Sequence, residues 1–407
     1  MRLAGEHLDP GAAALPWHLP LEQWPTEILV GLPRGISRHV VRFVEIDGDV
    51  VAIKETEDPI AVGEYETLSS LAALDVPAVQ PLGHVTGRAT EDGTPLPGAL
   101  LTPHLRYSLP YRDLFSRELA ADTALRLVDA LAVLLVRLHL AGFFWGDVSL
   151  SNALFRRDAD SFAAYLVDAE TGELHYTLSD GQRDHDLQLA RVNIAGDFLD
   201  LQAGGLVDPD VDPLAVSTRL LERYQALWGE LTRTEEFSMD ERWRIDDRIR
   251  RLNDLGFDLG EFTITTDLDG VTTRIEPKVV EPGHHRRRLL RLAGIRAEEN
   301  QARRLLNDID AYRMAFPELT EAEAAVAWFR TIYQPVLDAI PPDLHGRLEG
   351  PQLFHEFLDH RWFLSENAGR DVPFDDAVQS YLGTVLAHRR QESSFLAAPR
   401  PDDGRDR

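Results

Sequence analysis

Phe143-Phe144-Trp145-Gly146-Asp147-Val148-Ser149-Leu150-Ser151-Asn152-Ala153-Leu154-Phe155 is the stretch on which the reading of this chain turns. Before it, residues 121–140 are mostly apolar, interrupted by Asp129, Arg137 and His139, and Gly142 closes the run. Hydrophobicity nearly all round predicts a core helix in a sizeable lobe. Within the stretch, Asp147 is followed five residues later by Asn152, just before a short strand. In that spacing one group accepts a hydroxyl proton while the other holds a magnesium ion. The next strand, 163–167, ends in Asp168-Ala169-Glu170, and Asp158-Ala159-Asp160-Ser161 supplies turn chemistry between the two. Asn152 and Asp168 should therefore leave one hairpin at neighbouring ends. Two oxygen ligands so placed suit magnesium, which takes one or two carboxylates and leaves its other positions to phosphates and water.

Upstream lie three short apolar runs, residues 28–32, 40–46 and 50–53, the last two joined by Asp47-Gly48. That dipeptide is a strong hairpin signal, so an antiparallel meander is expected. Lys54 ends the third run. Between the first two, Gly31-Leu32-Pro33-Arg34-Gly35-Ile36-Ser37-Arg38 forms a turn with two glycines and two arginines. Its amides could approach phosphate oxygens, and the same pattern also serves a plain hairpin. Asp58 as N-cap and Pro59 at the first helical position open a helix to about Leu74. At about 100° per residue, Ile60, Ala61, Leu68, Leu71 and Ala72 cluster around Glu64, while Glu66 points to solvent. A carboxylate centred on a buried stripe needs a cation, and Lys54 on the adjoining strand is the candidate; the alternative is a Glu64 that snorkels at the stripe's edge.

Composition narrows what such groups can do. The chain has 407 residues, 44% hydrophobic and 27% charged, which predicts two or three soluble domains. With 68 acidic against 42 basic residues the net charge is −26, so an anionic ligand has to be held by a local cation or a metal. Of the basic residues only Lys54 and Lys278 are lysine, which draws attention to places where a compact ammonium is wanted. The absence of cysteine excludes disulfides, thiolate metal sites and a cysteine nucleophile. No signal peptide is legible in the first ten residues. The longest apolar run, 130–136, falls far short of the roughly 20 residues of a membrane span, so a cytoplasmic location is expected.

The order Val51-Ala52-Ile53-Lys54, Glu64 on the next helix, Asp147 with Asn152, and Asp168 after a hairpin resembles the protein-kinase-like fold over roughly residues 25–230. It is most similar to the lipopolysaccharide-kinase and aminoglycoside-phosphotransferase branch, and within it to actinobacterial proteins in which such a domain precedes a C-terminal domain of unknown function. The resemblance implies an α+β fold class: a bilobal domain, with a small antiparallel sheet lobe (25–105) and a helical lobe (106–230), preceded by an N-terminal arm (1–24) and followed by a mainly α-helical domain (231–396). It also implies ATP and magnesium as cofactors. Lys54 would hold the α- and β-phosphates and Glu64 would orient it. Asp147 would be the catalytic base, Asn152 and Asp168 the magnesium ligands, and Gly31, Gly35 and Arg38 the nucleotide-binding turn. Trp145 and Gly146 replace the family's histidine and arginine, leaving no receptor for an activation-loop phosphate. Ala169 and Glu170 replace the Phe-Gly after the metal-binding aspartate, with Glu170 either a third metal ligand or a solvated side chain. Asp186, in Arg183-Asp184-His185-Asp186 at the opening of the next helix, would brace the catalytic loop or cap that helix.

The remainder carries less chemistry. A helix is expected over 214–230, and a hairpin joins 262–266 to 272–280 through Asp267-Leu268-Asp269-Gly270. Residues 284–304 hold seven arginines against two glutamates, a patch that could grip phosphate or an acidic partner, or pair with the protein's own acids. Without interleaved aromatics it is a poor nucleic-acid platform. His355 and His360 are five apart and face different ways, so a zinc-protease reading fails. The tail from 397 has a disordered composition. Two functions compete: a magnesium-dependent phosphotransferase acting on a small hydroxyl-bearing substrate such as a sugar or glycolipid, and a pseudokinase scaffold whose C-terminal domain binds a protein partner.

Overall fold

The computed structural model describes residues 1–32, 39–115, 123–233, 235–238, 247, 250–253, 255, 257–266, 272–389 and 391–392. Gly35 and Arg38 of the glycine turn, the 267–270 turn and the 397–407 tail lie outside the described residues. The chain forms two compact units, one of residues 1–155 and 164–222, the other of 156–163 and 223–392.

In the first unit Asp47 and Gly48 take φ of 50° and 85°, the left-handed pair that a two-residue hairpin requires. They join Val41–Ile46 to Asp49–Thr56, with Lys54 opposite Val41. A five-stranded antiparallel sheet results, in the order Arg2–Ala4, Gly83–Thr86, Gly98–Pro103, Asp49–Thr56, Val41–Ile46. Side chains alternate across a strand, so Val51 and Ile53 join Val44, Val85 and Leu101 on one face. Trp17, Leu21 and Trp24 pack against that face. Lys54 falls on the other, with Leu100 as its partner across the ladder.

Two expectations change here. Residues 1–24 are an integral part of the sheet lobe rather than a separate arm. The buried Arg88 guanidinium fixes them by donating to the carbonyls of Trp17 (3.2 Å) and Leu19 (2.6 Å) and to Glu55 (2.8 Å). Residues 28–32 form no strand: a 3₁₀ turn over Thr26–Ile28 precedes them, and Leu32 N turns back onto Val30 O at 3.0 Å. Only the Leu29–Val44 bridge and the Val30 N to Phe43 O bond (2.8 Å) tie them to the sheet.

The Glu64 helix spans Asp58–Ala73 with Glu57, not Asp58, at its cap; Asp58 instead accepts from Gly87 N at 2.9 Å. Helices Thr123–Leu140 and Asp180–Ala203 frame the rest of the unit. The latter starts at a Ser179–Gln182 capping box, before the expected opening at Arg183, which puts Asp186 well inside the helix. Between these helices runs the hairpin Ala153–Asp158 and Ser161–Leu166, turning at Ala159.

The second unit is mainly helical: His284–Ala293, Glu299–Ala315, Glu321–Trp328, Gly350–Ala368 and Phe374–Thr384 enclose a core with Trp328, Phe354, Phe357 and Tyr381. Glu235–Ser238, a strand not foreseen, joins the expected hairpin Phe257–Thr266 and Thr272–Pro282 in a three-stranded sheet. The hairpin tip 156–163 belongs to this unit. Asp158, buried, accepts from Asn300 Nδ2 and Gln301 N at 2.8 Å each, Arg156 pairs with Glu298 at 2.9 Å, and Gln352 accepts from Ala159 N at 3.0 Å. The division between the units falls after Glu222, inside helix Pro213–Thr232. Several arginines of 284–304 pair with the protein's own acids: Arg288 with Glu321 (2.6 Å), Arg304 with Asp359 (2.9 Å). His355 faces Asp359 (3.3 Å) while His360 meets Ser380 Oγ (2.9 Å), as the five-residue spacing requires. The fold class is α+β, a small antiparallel sheet and helices followed by a mainly helical region. Among the described residues no helix is long and apolar enough to cross a membrane.

Candidate active site

Lys54 projects from strand Asp49–Thr56 on the face opposite the apolar core, and Glu64, 2% exposed, meets it from the following helix. Lys54 Nζ lies 3.1 and 3.0 Å from the two Glu64 oxygens, 3.0 Å from Asp168 Oδ1 and 3.3 Å from Glu170 Oε2. Burial pushes this ammonium's pKa down, but the three carboxylates outweigh burial and hold it above the ordinary lysine range. Glu64 Oε1 also accepts from Ala169 N at 3.2 Å, so the helix carboxylate fixes both the lysine and the backbone beside Asp168. Glu170 Oε2 also lies 2.8 Å from His39 Nε2. Burial raises the Glu170 pKa, yet Lys54 and His39 together bring it below the usual carboxylate range.

Asp147 and Asn152 form the other half. Asn152 Nδ2 donates to Asp147 Oδ2 and to the Asp147 carbonyl, 3.0 Å each. Asp147 Oδ1 accepts from Asn193 Nδ2 at 3.2 Å. Both carboxylate oxygens thus face amide donors. The halves are joined through backbone: Val167 N donates to Asn152 O at 3.2 Å, one residue before Asp168, and Thr171 Oγ1 donates to Trp145 O at 3.0 Å.

Helix Asp180–Ala203 holds the loop in place with one polar stripe. Asp186, Asn193 and Asp197 stand 7 and 11 residues apart, within about 40° of one another at about 100° per residue. Fully buried Asp186 accepts from Trp145 N and Gly146 N, 2.8 Å each, and faces His139 Nε2 at 3.1 Å. Asn193 reaches Asp147 and the Val148 carbonyl, and Asp197 accepts from Leu150 N at 2.9 Å. Burial pushes the Asp197 carboxyl up to about 6. Asp186 is thus the brace, and Ser179 is the cap. Gly146 has φ 77°, a left-handed conformation that glycine adopts without strain, and a Cβ there would stand 3.0 Å from Thr171 O.

The structure brings Lys54, Glu64 and Asp168 into direct contact, and Asp147 and Asn152 into a second contact one backbone bond away. Gly31 is exposed. The sequence reading missed His39, Asn193 and Asp197. The signal for the last two was available in their helical spacing from Asp186, whereas His39 had no motif around it. As for metal ligands, oxygens of Glu64, Asp168 and Glu170 all lie within 4.8 Å of one another, and Asn152, with its nitrogen turned to Asp147, presents an amide oxygen. Hard oxygen donors of this kind fit magnesium.

A small antiparallel sheet whose lysine is paired to a helical glutamate, followed by a helix, an aspartate–asparagine loop and a hairpin ending in aspartate, makes the first unit kinase-like. No curated protein matches the chain. A solved structure described as WaaP in complex with acyl carrier protein aligns over 63% of this chain and 99% of its own, at 18% identity and a TM-score of 0.36. The C-terminal stretch, residues 226–386, matches a family model described as Domain of unknown function (DUF4032).

Proposed function

We propose that the chain is an ATP- and magnesium-dependent phosphotransferase that acts on a hydroxyl of a sugar, glycolipid or other small molecule in the cytoplasm. The observation that carries the reading is the single ammonium, Lys54, held at 3.0 Å by both Glu64 and Asp168 beside the Asp147–Asn152 pair. Lys54, kept charged and oriented by Glu64, would bind the α- and β-phosphate oxygens. Asn152 and Asp168, with Glu170 beside them, would hold magnesium, which supplies charge neutralisation at the terminal phosphates. Asp147, its oxygens positioned by Asn152 and Asn193, would accept the proton of the attacking hydroxyl. Phosphoryl transfer asks for positioning and electrostatics more than covalent help, which these groups offer.

A scaffold reading also has an observation in its favour: the Lys54 ammonium already faces three carboxylates, so nucleotide has to displace one. In that case the C-terminal unit would serve a protein partner. Melting with and without ATP and magnesium separates the two. A nucleotide at 100 times its Kd stabilises by about 2.7 kcal/mol. The phosphotransferase reading expects such a shift in the wild-type chain, lost in Lys54→Ala and in Asp168→Asn, whereas unchanged melting of the wild type would support the scaffold.

A further inference from the structure

We propose that Asp160, His355 and Asp359 form a binding site for a divalent transition-metal ion of the zinc type. All three belong to the second unit, and the proposal does not depend on the phosphotransferase reading.

Two of the donors share one face of helix Gly350–Ala368. His355 and Asp359 stand four residues, about one turn, apart, so their side chains meet on that face. The third donor comes from the turn of the hairpin Ala153–Asp158 and Ser161–Leu166, which Gln352, three residues before His355, holds against the same helix. Gln352 accepts from Ala159 N at 3.0 Å, donates to the Ala159 carbonyl at 3.3 Å, and is itself held by Gln301 Nε2 at 3.0 Å. Asp160, the next residue, is thereby brought to the imidazole. One donor atom from each of the three side chains lies within 4.8 Å of the other two.

The ring at the centre of this arrangement lacks ordinary hydrogen bonds. The His355 side chain is 4% exposed, and its Nδ1 has no hydrogen-bond partner among the described residues. Its Nε2 is directed at the two carboxylates, 3.4 Å from Asp160 Oδ1 and 3.3 Å from Asp359 Oδ2. Both separations exceed the roughly 2.7–3.2 Å of a good N–H···O bond. They match the edges of a coordination tetrahedron, because metal bonds of about 2.0–2.1 Å place neighbouring donors about 3.3–3.4 Å apart. Arg304 Nη2 holds the other oxygen of Asp359 at 2.9 Å, the outer support that a ligating carboxylate commonly has. The Asp160 and Asp359 side chains are 80% and 46% exposed, so water can complete the shell of the ion.

The donor set decides the class of ion. One imidazole nitrogen beside two carboxylates suits zinc and its neighbours, whereas magnesium and calcium take oxygen ligands. With no cysteine in the chain, a zinc-type ion has to be held by imidazole and carboxylate. Bound there, it would pin the hairpin turn to helix Gly350–Ala368.

Isothermal titration of the full chain, stripped with EDTA, with Zn²⁺ and with Mg²⁺ tests this. The wild type should bind one equivalent of Zn²⁺ that Asp160→Ala and His355→Gln each weaken by about a hundredfold or more, since outer-shell partners alone contribute about 10–100-fold. Mg²⁺ should bind far more weakly. His360, which faces Ser380 Oγ at 2.9 Å, supplies the control: His360→Gln should leave the Zn²⁺ affinity unchanged. Asp160 is exposed enough to be truncated without disturbing the core, so Asp160→Ala decides the matter should His355→Gln fail to fold. A wild-type chain that binds no Zn²⁺, or Zn²⁺ binding that is equally tight in Asp160→Ala, lost as much in His360→Gln, or matched by Mg²⁺, overturns the proposal.

Discussion

Removing the Lys54 ammonium should destabilise the first unit far beyond a surface ion pair. Its side chain and those of Glu64, Asp168 and Glu170 are 12%, 0%, 21% and 12% exposed, so the charges are poorly screened. In Lys54→Ala three carboxylates whose oxygens lie within 4.8 Å of one another are left without that ammonium. Breaking a buried ion pair by deleting one partner costs about 3–5 kcal/mol, because the remaining charge stays desolvated. For a unit of this size that is a fall in Tm on the order of 10 °C. The carboxylates can relieve the strain by taking up protons, so their pKa values rise above the unfolded range. A raised carboxylate makes the folded state bind more protons than the unfolded one, and stability then falls as pH rises. The deficit of Lys54→Ala relative to wild type should be largest at about pH 8 and shrink toward about pH 5. Adding Glu64→Gln should recover part of it, with an interaction energy of about 1–3 kcal/mol in the double-mutant cycle. Urea unfolding at both pH values provides the measurement. A Lys54→Ala chain as stable as wild type at pH 8, or a deficit that grows toward pH 5, would refute the picture of carboxylates crowded on one ammonium.

Asp186→Asn replaces an acceptor of two backbone N–H groups with a side chain that has one acceptor oxygen. It should cost about 1–3 kcal/mol in urea unfolding, the penalty for one orphaned buried donor; a neutral result would deny the brace. Asn193→Ala removes one of the two amides on the Asp147 carboxylate, so turnover should fall while Mg·ATP affinity stays within about twofold. Steady-state kinetics beside titration would expose a wrong assignment if affinity fell instead. In the second unit, burial and Glu298 push Asp158 up to about 7 from 3.8. The stability this adds is fully present below about pH 4 and is lost as pH rises through about 7, by about 4 kcal/mol at most. Asp158→Asn should flatten that part of the pH–stability curve, and an unchanged slope would assign the dependence elsewhere.

The parts of the site legible in the sequence are those whose chemistry is local. Lys54 lies on a strand fixed by a two-residue hairpin, Glu64 sits at the centre of a helical stripe, and Asn152 and Asp168 leave the two ends of one hairpin. Each follows from spacing over at most a few turns. Asn193 and Asp197 act on residues more than forty positions away, and that pairing is invisible until the helix is docked. Their common face with Asp186 could still have marked a polar stripe in need of partners. The N-terminal segment misled for another reason. Pro10, Pro16, Pro20 and Pro25 break any helical or strand period, so Trp17 and Trp24 read as an arm although both are buried in the sheet's core. Large aromatics at such density are better evidence of a core than the missing period is against it. At Glu235–Ser238 the sequence Glu-Glu-Phe-Ser has one strand-favouring residue of four, and long-range pairing with Thr272–Pro282 decided the outcome.

The charge pattern of the cleft makes an argument about order of binding. Glu64, Asp168 and Glu170 surround the Lys54 ammonium, so acids outnumber it three to one before any phosphate arrives. A nucleotide without a divalent ion would bring its phosphates into a field that repels them, in a chain already at −26. If the first unit is a phosphotransferase, its affinity for nucleotide and its affinity for magnesium must be coupled, each ligand offsetting the charge that opposes the other. By linkage the coupling has one value whichever ligand is added first. The same geometry that leaves an empty Lys54 saturated with carboxylates would therefore make the site responsive to the metal–nucleotide complex and nearly indifferent to either component alone.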